Sequence, residues 1–544
     1  MRVLTHHRGD NAAVVLTYAD LDARARAIAG FLQQRAARGE RALLLMPTGI
    51  EYVTGFLGAL YAGAIAVPAY PPESQRRQHL DRVAGLARDA APRFILTCSS
   101  ELARLRGLIE LVPELQSAEL IALDAIDPTL AEAYDYDAAA LSSELIAFLQ
   151  YTSGSQAAPK GVMVSHGNLV ANERAISAAL EFGDEDVMVS WLPLFHDMGL
   201  IGGLLQPLYT GASVVLLSPL RFLERPIRWL EAISEYRGTV SGGPDFAYRM
   251  CVDRIEPSAL RGLDLRTWRL AFCGSEPIRP GTLRAFAERF AGVGFNASAL
   301  YPCYGLAEAT LLVTGVKPGT GVHVDSAVVS CGATPPEHRV RITDPSTLAP
   351  VPEGQNGEIW VSGPSIAQGY WQNSDATAAA FVQLGAERYL RTGDLGFERA
   401  GQLHISGRLK DLVIVRGRNI VPQDIEDHLA AEIAALQLGR ISVFPVQTEN
   451  GEAIGVAAEL SRAAARSVKH EQLCQVIAQA VHECVDEPAR LVILLGQGAL
   501  PRTSSGKLQR SACAARLQAG ELKTLAVYRD GKLETQPPTL ELTP

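Results

Sequence analysis

Cysteine is scarce in this chain of 544 residues, and its eight copies form neither a CxxC pair nor a compact framework. This spacing argues against a structural zinc site and against a small disulfide-stapled domain, and it predicts reduced, mostly buried thiols. The first residues lack the basic start, apolar core and small-residue cleavage site of a secretory signal. We therefore expect a cytoplasmic protein.

The chain also lacks an excess of basic residues, since its formal net charge is −9 and its pI is about 5.8. Proteins that bind duplex nucleic acid normally carry a basic stripe, so no nucleic-acid partner is expected. No unbroken apolar run is long enough to span a bilayer. The most apolar stretch, Met198 to Leu220, contains Gln206, Pro207 and several glycines and predicts a helix, a turn and a strand.

Helical and strand patterns alternate from the start of the chain. Thr17 and Asp20 stand three residues apart before apolar positions at helical spacing, which predicts a capped helix with one buried face. Short apolar runs bounded by turn residues predict strands at Ala42 to Met46, Phe94 to Thr97, Leu145 to Leu149, Ser213 to Leu217 and Leu270 to Phe272. This alternation predicts an α/β fold of stacked layers with mostly parallel sheets.

A chain of this length should divide into more than one unit, because single cores stop growing at roughly 250 to 300 residues. After about residue 320 the predicted strands become short and are separated by Gly, Pro and Asp turns, which indicates a β-rich subdomain at about 320–408. The remaining chain predicts a small α+β domain at 409–544, with a helix from about Asp424 and a long helix near Glu471 to Cys484. Residues 1–408 are expected to form the large N-terminal domain.

A turn rich in small and hydroxyl residues follows the apolar strand that ends near Tyr151. Its residues Thr152, Ser153 and Ser155 offer hydroxyl donors, Gly154 lets backbone amides face an anion, and Lys160 adds positive charge. Open α/β sheets bind ligands beyond the carboxyl ends of their strands, so a polyphosphate is a suitable guest. The segment does not satisfy the GxxxxGK[ST] pattern, and a plain surface turn is the alternative.

Four further segments occur in a fixed order along the chain. They are Tyr304-Gly-Leu-Ala-Glu308, Arg391-Thr-Gly-Asp394, Gly407-Arg-Leu-Lys-Asp411 and Pro501-Arg-Thr-Ser-Ser-Gly-Lys507. Together with the hydroxyl-rich turn they resemble the ordered signature of the adenylate-forming superfamily, over nearly the whole chain. The resemblance implies a large N-terminal ATP- and acyl-binding domain of stacked α/β layers, a β-rich subdomain, and a small mobile α+β C-terminal domain.

The resemblance also implies roles for single residues. Lys507 is similar to the lysine that bridges the substrate carboxylate and the α-phosphate, and Asp394 is similar to the acid that accepts the ribose hydroxyls. Arg408 resembles the arginine that holds ribose and phosphate oxygens, and Glu308 the acid that positions Mg²⁺. Lys410 matches the hinge between the two domains. Each of these residues, taken alone, could equally be a solvated surface charge or a turn residue.

Two more groups complete the expected site. One group resembles the wall against which adenine packs in this family. It consists of Gly274, Ser275, Glu276, Pro277, Tyr304 and Gly305. Longer stretches at Ala64 to Pro72, Trp191 to Leu208, Thr239 to Tyr248 and Arg416 to Ile425 resemble one branch, the fatty acyl-AMP ligases. The residues expected to contact the acyl substrate are His196, Met198, Gly199, Leu200, Leu204 and Asp245, although leucines at this spacing are often plain core.

The branch resemblance implies ATP and Mg²⁺ as cofactors, a fatty acid as substrate, and an acyl carrier protein, such as that of a polyketide or peptide synthase, as acceptor. Three positions depart from the family pattern: Gln156-Ala157 replaces Thr-Gly, Asn419-Ile-Val-Pro422 replaces Asn-His-Tyr-Pro, and the segment Leu311 to Val329 is shorter than usual. The short segment favours an alternative, a fatty acyl-CoA ligase. The altered turn motivates another, a degenerate protein that binds ATP or acyl-AMP for regulation.

Overall fold

The computed structural model describes residues 3–7, 13–69, 77–151, 159–325, 328–416, 418–437, 439–448, 451–502 and 508–534. These residues form two compact units. The described parts of 1–152, 158–392 and 396–405 make up the first unit, and those of 393–395 and 406–544 make up the second. The predicted boundary between residues 408 and 409 falls close to residue 406, and the assignment of functions to the two parts stays a prediction.

The first unit contains an eight-stranded sheet whose six central strands are parallel, with one antiparallel strand at each edge. In spatial order its strands are Leu312–Gly315, Leu300–Gly305, Leu270–Cys273, Val240–Gly243, Val187–Ser190, Ser213–Leu217, Val3–His7 and Val14–Thr17. The predicted strands at Ser213 to Leu217 and Leu270 to Phe272 are confirmed.

A six-stranded sheet forms a second layer of this unit. It is parallel except for its last pair, and its strands in spatial order are Glu119–Ala122, Phe94–Thr97, Arg41–Leu44, Ile65–Pro68, Ile146–Tyr151 and Gly161–Ser165. Most of its strands are nearly fully buried, as expected for parallel strands covered by helices on both faces. The expectation of mostly parallel sheets in an α/β fold is confirmed.

Helices connect these strands, and the first of them begins where the sequence predicts. The Thr17 hydroxyl accepts a hydrogen bond from the Asp20 amide at 3.1 Å, and an Asp20 carboxylate oxygen accepts one from the Thr17 amide at 2.9 Å. This reciprocal pair is a capping box. The α-helices of the unit are Tyr18–Gln33, Ile50–Tyr61, Arg77–Ala90, Leu102–Leu111, His166–Leu180, Gln206–Thr210, Pro219–Glu224, Ile227–Tyr236, Asp245–Arg254, Pro280–Phe290 and Ser374–Ala380.

The part of the chain after residue 320 is rich in short strands, as predicted. A two-stranded ladder pairs Val324–Asp325 with Val328–Val329. A five-stranded sheet contains Arg339–Thr343, Gly357–Ser362, Phe381–Leu384, Glu387–Arg399 and Gln402–Arg408. The strand at Gly357–Ser362 is almost entirely buried, so this sheet has its own packed face.

The second unit is a compact α+β fold. Its main sheet orders the strands Ile441–Thr448, Gly451–Glu459, Ala489–Leu495, Thr524–Arg529 and Lys532–Glu534, and a small ladder joins Val413–Val415 to Arg418–Ile420. Its helices are Pro422–Glu432, Arg462–Ser467, His470–Val485 and Arg510–Gln518. The first helix begins at Pro422. Proline suits this position because the N–H groups of the first turn have no partner within the helix, so the N–H that proline lacks is not needed there. Among the described residues, no helix has both the length and the apolar character that a bilayer span needs.

Candidate active site

Most of the predicted nucleotide and acyl residues of the first unit lie at one edge of the eight-stranded sheet. Four of its parallel strands are neighbours, and each ends immediately before or within one of the motif segments. These strands are Val187–Ser190, Val240–Gly243, Leu270–Cys273 and Leu300–Gly305. Because the carboxyl ends of parallel strands meet at the same edge, this edge gathers segments that are spread over more than a hundred residues of sequence.

Hydrogen bonds join two of these segments directly. The Glu276 carboxylate accepts a bond from the Phe246 amide at 2.6 Å, and the Asp245 carboxylate accepts one from the Arg279 amide at 2.9 Å. Asp245 is only 2% exposed. Burial raises the pKa of Asp245 to about 7, and the nearby charge of Glu276 adds to the rise. The structure therefore buries Asp245 beside the predicted adenine wall, and its contact with an acyl substrate stays a prediction.

The predicted adenine wall is built from tightly packed backbone. Ser275 has a φ of +75°, which non-glycine residues rarely adopt and which often marks a functional site. A Cβ atom at Gly274 would lie 3.0 Å from the Cys303 carbonyl oxygen, and one at Gly305 would lie 1.9 Å from that of Leu311. Gly305 stands at an irregularity in the strand register, so only glycine fits this close approach.

Tyr304 and Pro277 occupy opposite environments in this wall. Tyr304 is 8% exposed and belongs to the core of the unit, whereas Pro277 is exposed. The buried ring suits either of the two roles considered for Tyr304, adenine contact and hydrophobic packing.

Glu308 and Lys160, which lie 148 positions apart in the sequence, meet at a third residue, Tyr370. The Tyr370 hydroxyl donates a hydrogen bond to a Glu308 carboxylate oxygen at 2.9 Å. The Lys160 ammonium nitrogen lies 4.9 Å from the centroid of the Tyr370 ring, within the range of a cation–π contact. The structure thus brings together the predicted metal ligand and the predicted phosphate lysine.

The four remaining residues of the predicted phosphate turn, Thr152, Ser153, Gly154 and Ser155, lie outside the described residues. The strands on either side of this segment are Ile146–Tyr151 and Gly161–Ser165, which are antiparallel neighbours. The prediction that the segment directly follows a strand is confirmed.

Lys507 also lies outside the described residues, but the chain on both sides of it is described. Arg502 and Leu508 form an antiparallel bridge, and the Gln509 amide donates to the Pro501 carbonyl oxygen at 3.0 Å. The two ends of the segment that carries Lys507 are therefore held together by backbone pairing.

In the second unit, Arg408 and Asp394 form an ion pair. The Arg408 Nε donates to the Asp394 Oδ1 at 2.7 Å, and the side chains are 59% and 9% exposed respectively. The predicted hinge residue Lys410 is exposed, in a short turn at Leu409–Asp411. The predicted ribose acid and its neighbouring arginine thus lie within one hydrogen bond of each other.

Arg510 ties this turn to the region of Lys507. Its guanidinium donates to Asp411 at 3.0 Å and to both carboxylate oxygens of Glu426 at 2.8 and 2.7 Å. The Arg510 and Glu426 side chains are only 14% and 5% exposed. A buried charge network therefore connects the predicted hinge turn with the helix that starts three residues after Lys507.

Four of the six predicted acyl-contact residues, Met198, Gly199, Leu200 and Leu204, lie on an unusual helix. Residues Met198–Leu205 form a π-helix, a type that often marks functional sites. A Cβ atom at Gly199 would lie 2.2 Å from the Pro193 carbonyl oxygen, so this position requires glycine. Leu200 and Leu204 have no exposed surface and pack in the main core.

His196 and Met198, by contrast, keep some exposed surface. A groove of about 910 Å³ opens elsewhere in the first unit, against Tyr61, Tyr134 and Tyr136, and no predicted site residue is among the described residues that line it.

Sequence reasoning missed Tyr370, because no spacing pattern or charge marks it. The nearest signal is Gly369, whose φ of +143° favours glycine just before the tyrosine.

A sequence profile of the AMP-binding enzymes matches residues 4–371. A medium-chain-fatty-acid–acyl-carrier-protein ligase of Moorena producens is 39% identical, over 94% of this chain and 92% of its own length. A long-chain-fatty-acid–AMP ligase of Mycobacterium marinum is 37% identical, over 95% and 93%.

The crystal structure of a fatty acyl-adenylate ligase from Legionella pneumophila, in complex with acyl adenylate and pyrophosphate, superposes with a TM-score of 0.72 at 37% identity, covering 97% of this chain and 95% of that one. The motifs, the fold and these likenesses agree, and the chain belongs to the AMP-binding, adenylate-forming enzymes and, within them, to the fatty acyl-AMP ligase branch.

Proposed function

We propose that this protein joins a fatty acid to ATP, giving an acyl-adenylate and pyrophosphate, and then passes the acyl group to the phosphopantetheine thiol of an acyl carrier protein. The observation that carries the proposal is that the segments bearing Met198, Asp245, Gly274 and Tyr304 meet at the carboxyl edge of four neighbouring parallel strands. The names of the relatives from Moorena and Mycobacterium support a fatty acid as substrate, and the former supports a carrier protein as acceptor.

The first half-reaction forms a bond between a carboxylate oxygen and the α-phosphorus and breaks the bond from that phosphorus to the oxygen bridging to the β-phosphate. Two anions must approach while pyrophosphate leaves, so cations have to offset their repulsion. Lys507 is proposed to lie between the carboxylate and the α-phosphate, and Lys160 beside the leaving phosphates. In the second half-reaction the carrier thiol attacks the acyl carbonyl carbon and AMP leaves.

Other residues are proposed to hold the nucleotide still. Asp394 accepts the two ribose hydroxyls, which suits a carboxylate because its two oxygens are acceptors only. Arg408 donates to Asp394 at 2.7 Å and would orient that carboxylate. Tyr304 and the segment from Gly274 to Pro277 would enclose the adenine.

The residues present fit Mg²⁺ as the metal. Within the described part of the chain no group of three His, Cys, Asp or Glu side chains could hold a metal by itself. Mg²⁺ is commonly held by one or two carboxylates together with substrate phosphates, and Glu308 supplies one such carboxylate. When bound, the ion neutralises phosphate charge. We also propose that Lys410 is the hinge about which the C-terminal unit changes pose between the two half-reactions.

A product assay tests the proposal. The purified protein receives a panel of fatty acids with ATP and Mg²⁺, and either coenzyme A or a phosphopantetheinylated carrier protein. We expect fatty-acid-dependent pyrophosphate release, acyl-AMP that persists in the presence of coenzyme A, and acyl transfer to the carrier. Absence of fatty-acid-dependent pyrophosphate release would contradict the adenylation reaction itself.

A variant identifies the catalytic lysine. Lys507→Ala should lower adenylation by at least about 10²-fold, the loss typical when one donor to a transition-state charge is removed. The matched control is Lys523→Ala, since Lys523 is an exposed lysine of the same unit and should leave the rate unchanged. Equal rates in the two variants would refute the role of Lys507.

A fatty acyl-CoA ligase is the second candidate function. The segment Leu311 to Val329 is short, and its described residues contribute only the edge strand Leu312–Gly315 and the two-stranded ladder of Val324–Asp325 with Val328–Val329. Acyl-CoA as the main product, with the carrier protein left unloaded, would establish this candidate in place of the first.

A further inference from the structure

Tyr370 contacts two proposed nucleotide residues through two different parts of its side chain. Its hydroxyl donates to Glu308 at 2.9 Å, and its ring lies 4.9 Å from the Lys160 ammonium. Tyr370 is only 9% exposed, so both contacts form where water competes weakly.

The backbone around Tyr370 is held independently of either contact. Tyr370 forms an antiparallel bridge with Val162, and the Trp371 amide donates to the Gly161 carbonyl oxygen at 2.7 Å. The Thr377 hydroxyl accepts a bond from the Tyr370 amide at 2.9 Å. The ring therefore has a defined position next to the strand that follows Lys160.

The same segment also holds the turn that carries Glu308. The Ala367 amide donates to the Glu308 carbonyl oxygen at 2.9 Å, and the Thr310 hydroxyl donates to the Ser365 carbonyl oxygen at 2.6 Å. One stretch of chain, residues 365–371, thus joins the Glu308 turn beside the eight-stranded sheet to the strand Gly161–Ser165 of the six-stranded sheet, which directly follows Lys160.

A glutamate carboxylate rotates easily about its last bond, because that torsion is broad and two-fold. A hydroxyl that donates to one oxygen restricts this rotation and determines how the carboxylate faces a metal ion. Residues that orient a metal ligand in this way typically change metal affinity or activity by 10- to 100-fold when they are replaced.

We propose that Tyr370 is a positioning residue, which orients the Glu308 carboxylate through its hydroxyl and the Lys160 ammonium through its ring toward the metal and phosphates of ATP. This inference rests on the proposed function, which assigns Glu308 and Lys160 to the nucleotide site.

Two substitutions separate the two contacts. Tyr370→Phe removes the bond to Glu308 and keeps the ring beneath Lys160, whereas Tyr370→Leu removes both. The matched control is Tyr389→Phe, because the Tyr389 hydroxyl donates to Glu387 at 2.7 Å and Tyr389 is similarly buried at 7% exposure. Glu387 has no assigned part in the site.

The measurement is the dissociation constant of α,β-methylene-ATP by calorimetry, on the full chain, with and without Mg²⁺. We expect Tyr370→Phe to reduce the gain in affinity that Mg²⁺ provides by about 10- to 100-fold, with metal-free binding unchanged. Tyr370→Leu should in addition weaken metal-free binding by about 2- to 30-fold, through loss of the cation–π contact. Tyr389→Phe should change neither value.

The outcomes distinguish this inference from the proposed function. If the unaltered protein does not bind the analogue more tightly with Mg²⁺, the proposed nucleotide site is wrong. If it does, and Tyr370→Phe keeps the full magnesium-dependent gain, only the positioning role is overturned. If Tyr370→Phe weakens binding of the analogue equally with and without Mg²⁺, the positioning role is also overturned, because a general structural defect has that effect.

Discussion

Replacing Asp394 by asparagine should weaken ATP binding strongly and leave the fold nearly intact. The Asp394 side chain is 9% exposed and accepts the Arg408 Nε at 2.7 Å. An asparagine keeps one acceptor oxygen but presents an NH₂ group to a ribose hydroxyl or to the arginine. Hydrogen bonds to a charged group contribute about 1.5–3 kcal/mol, so we expect the KM for ATP to rise about 10- to 100-fold.

The cost in stability should be small by comparison. Arg408 is 59% exposed, so its ion pair with Asp394 is screened by water and contributes about 0–1 kcal/mol to the free energy of unfolding. In a chain of 544 residues that corresponds to a shift of at most about 1 °C in the melting temperature.

The assay records pyrophosphate release at varied ATP with saturating fatty acid, and thermal unfolding in parallel. A suitable control is Asp325→Asn, because Asp325 also accepts an arginine, the Arg399 guanidinium at 2.7 Å, on a partly exposed surface. The control should keep the KM for ATP. An Asp394→Asn variant with an unchanged KM for ATP, or with equal increases in the KM values for ATP and fatty acid, would refute the ribose contact.

Three further predictions concern stability. Gly305→Ala should lower the free energy of unfolding by at least about 2 kcal/mol, because the new Cβ would lie 1.9 Å from a carbonyl oxygen. Gly281→Ala is the control, because Gly281 has open space around it and the change should not lower stability. Similar denaturation midpoints for the two variants would contradict this prediction. Asp245→Asn should gain stability relative to the unaltered protein as the pH rises from 4 to 8. The protonated, buried Asp245 stabilises the fold fully below its ordinary pKa of 3.8, and this stabilisation is lost as the pH rises through its folded-state pKa of about 7. The change in the free energy of unfolding is up to about 4 kcal/mol. Melting temperatures of the two proteins that stay parallel at all pH values would refute the burial argument. Arg510→Gln should cost about 3–5 kcal/mol because the buried Glu426 loses its charged partner, and a loss below about 1 kcal/mol in thermal unfolding would show that the network contributes little.

Local patterns in the sequence were sufficient to predict many elements of the fold. The capping residues Thr17 and Asp20 predicted where the first helix begins, and the apolar run at Phe94–Thr97 predicted a strand with the same ends. The helix expected near Glu471 to Cys484 is observed at His470–Val485. These predictions succeed because capping, turn chemistry and hydrophobic periodicity act over a few residues and are visible in any short window.

The type of the helix at Met198–Leu205 was not predictable in this way. Its glycines and leucines indicate a buried helix of either type, and the π-helical form accompanies the close approach of Gly199 to the Pro193 carbonyl oxygen. The sequence likewise left open whether Leu200 and Leu204 face an acyl chain or the core, and the structure buries both completely.

By itself, the sequence determined the α/β class, the strands and helices with strong patterns, and the ordered motifs that mark an adenylate-forming enzyme. Only the tertiary structure decided that Val3–His7 pairs beside Ser213–Leu217, and that Tyr370 lies between Glu308 and Lys160. Strand order and side-chain contacts of this kind join residues far apart in the chain, and they depend on how whole layers pack. No short window of sequence contains both partners of such a contact. Tyr370, which contacts both Glu308 and Lys160, therefore became visible as a candidate site residue only in the folded chain.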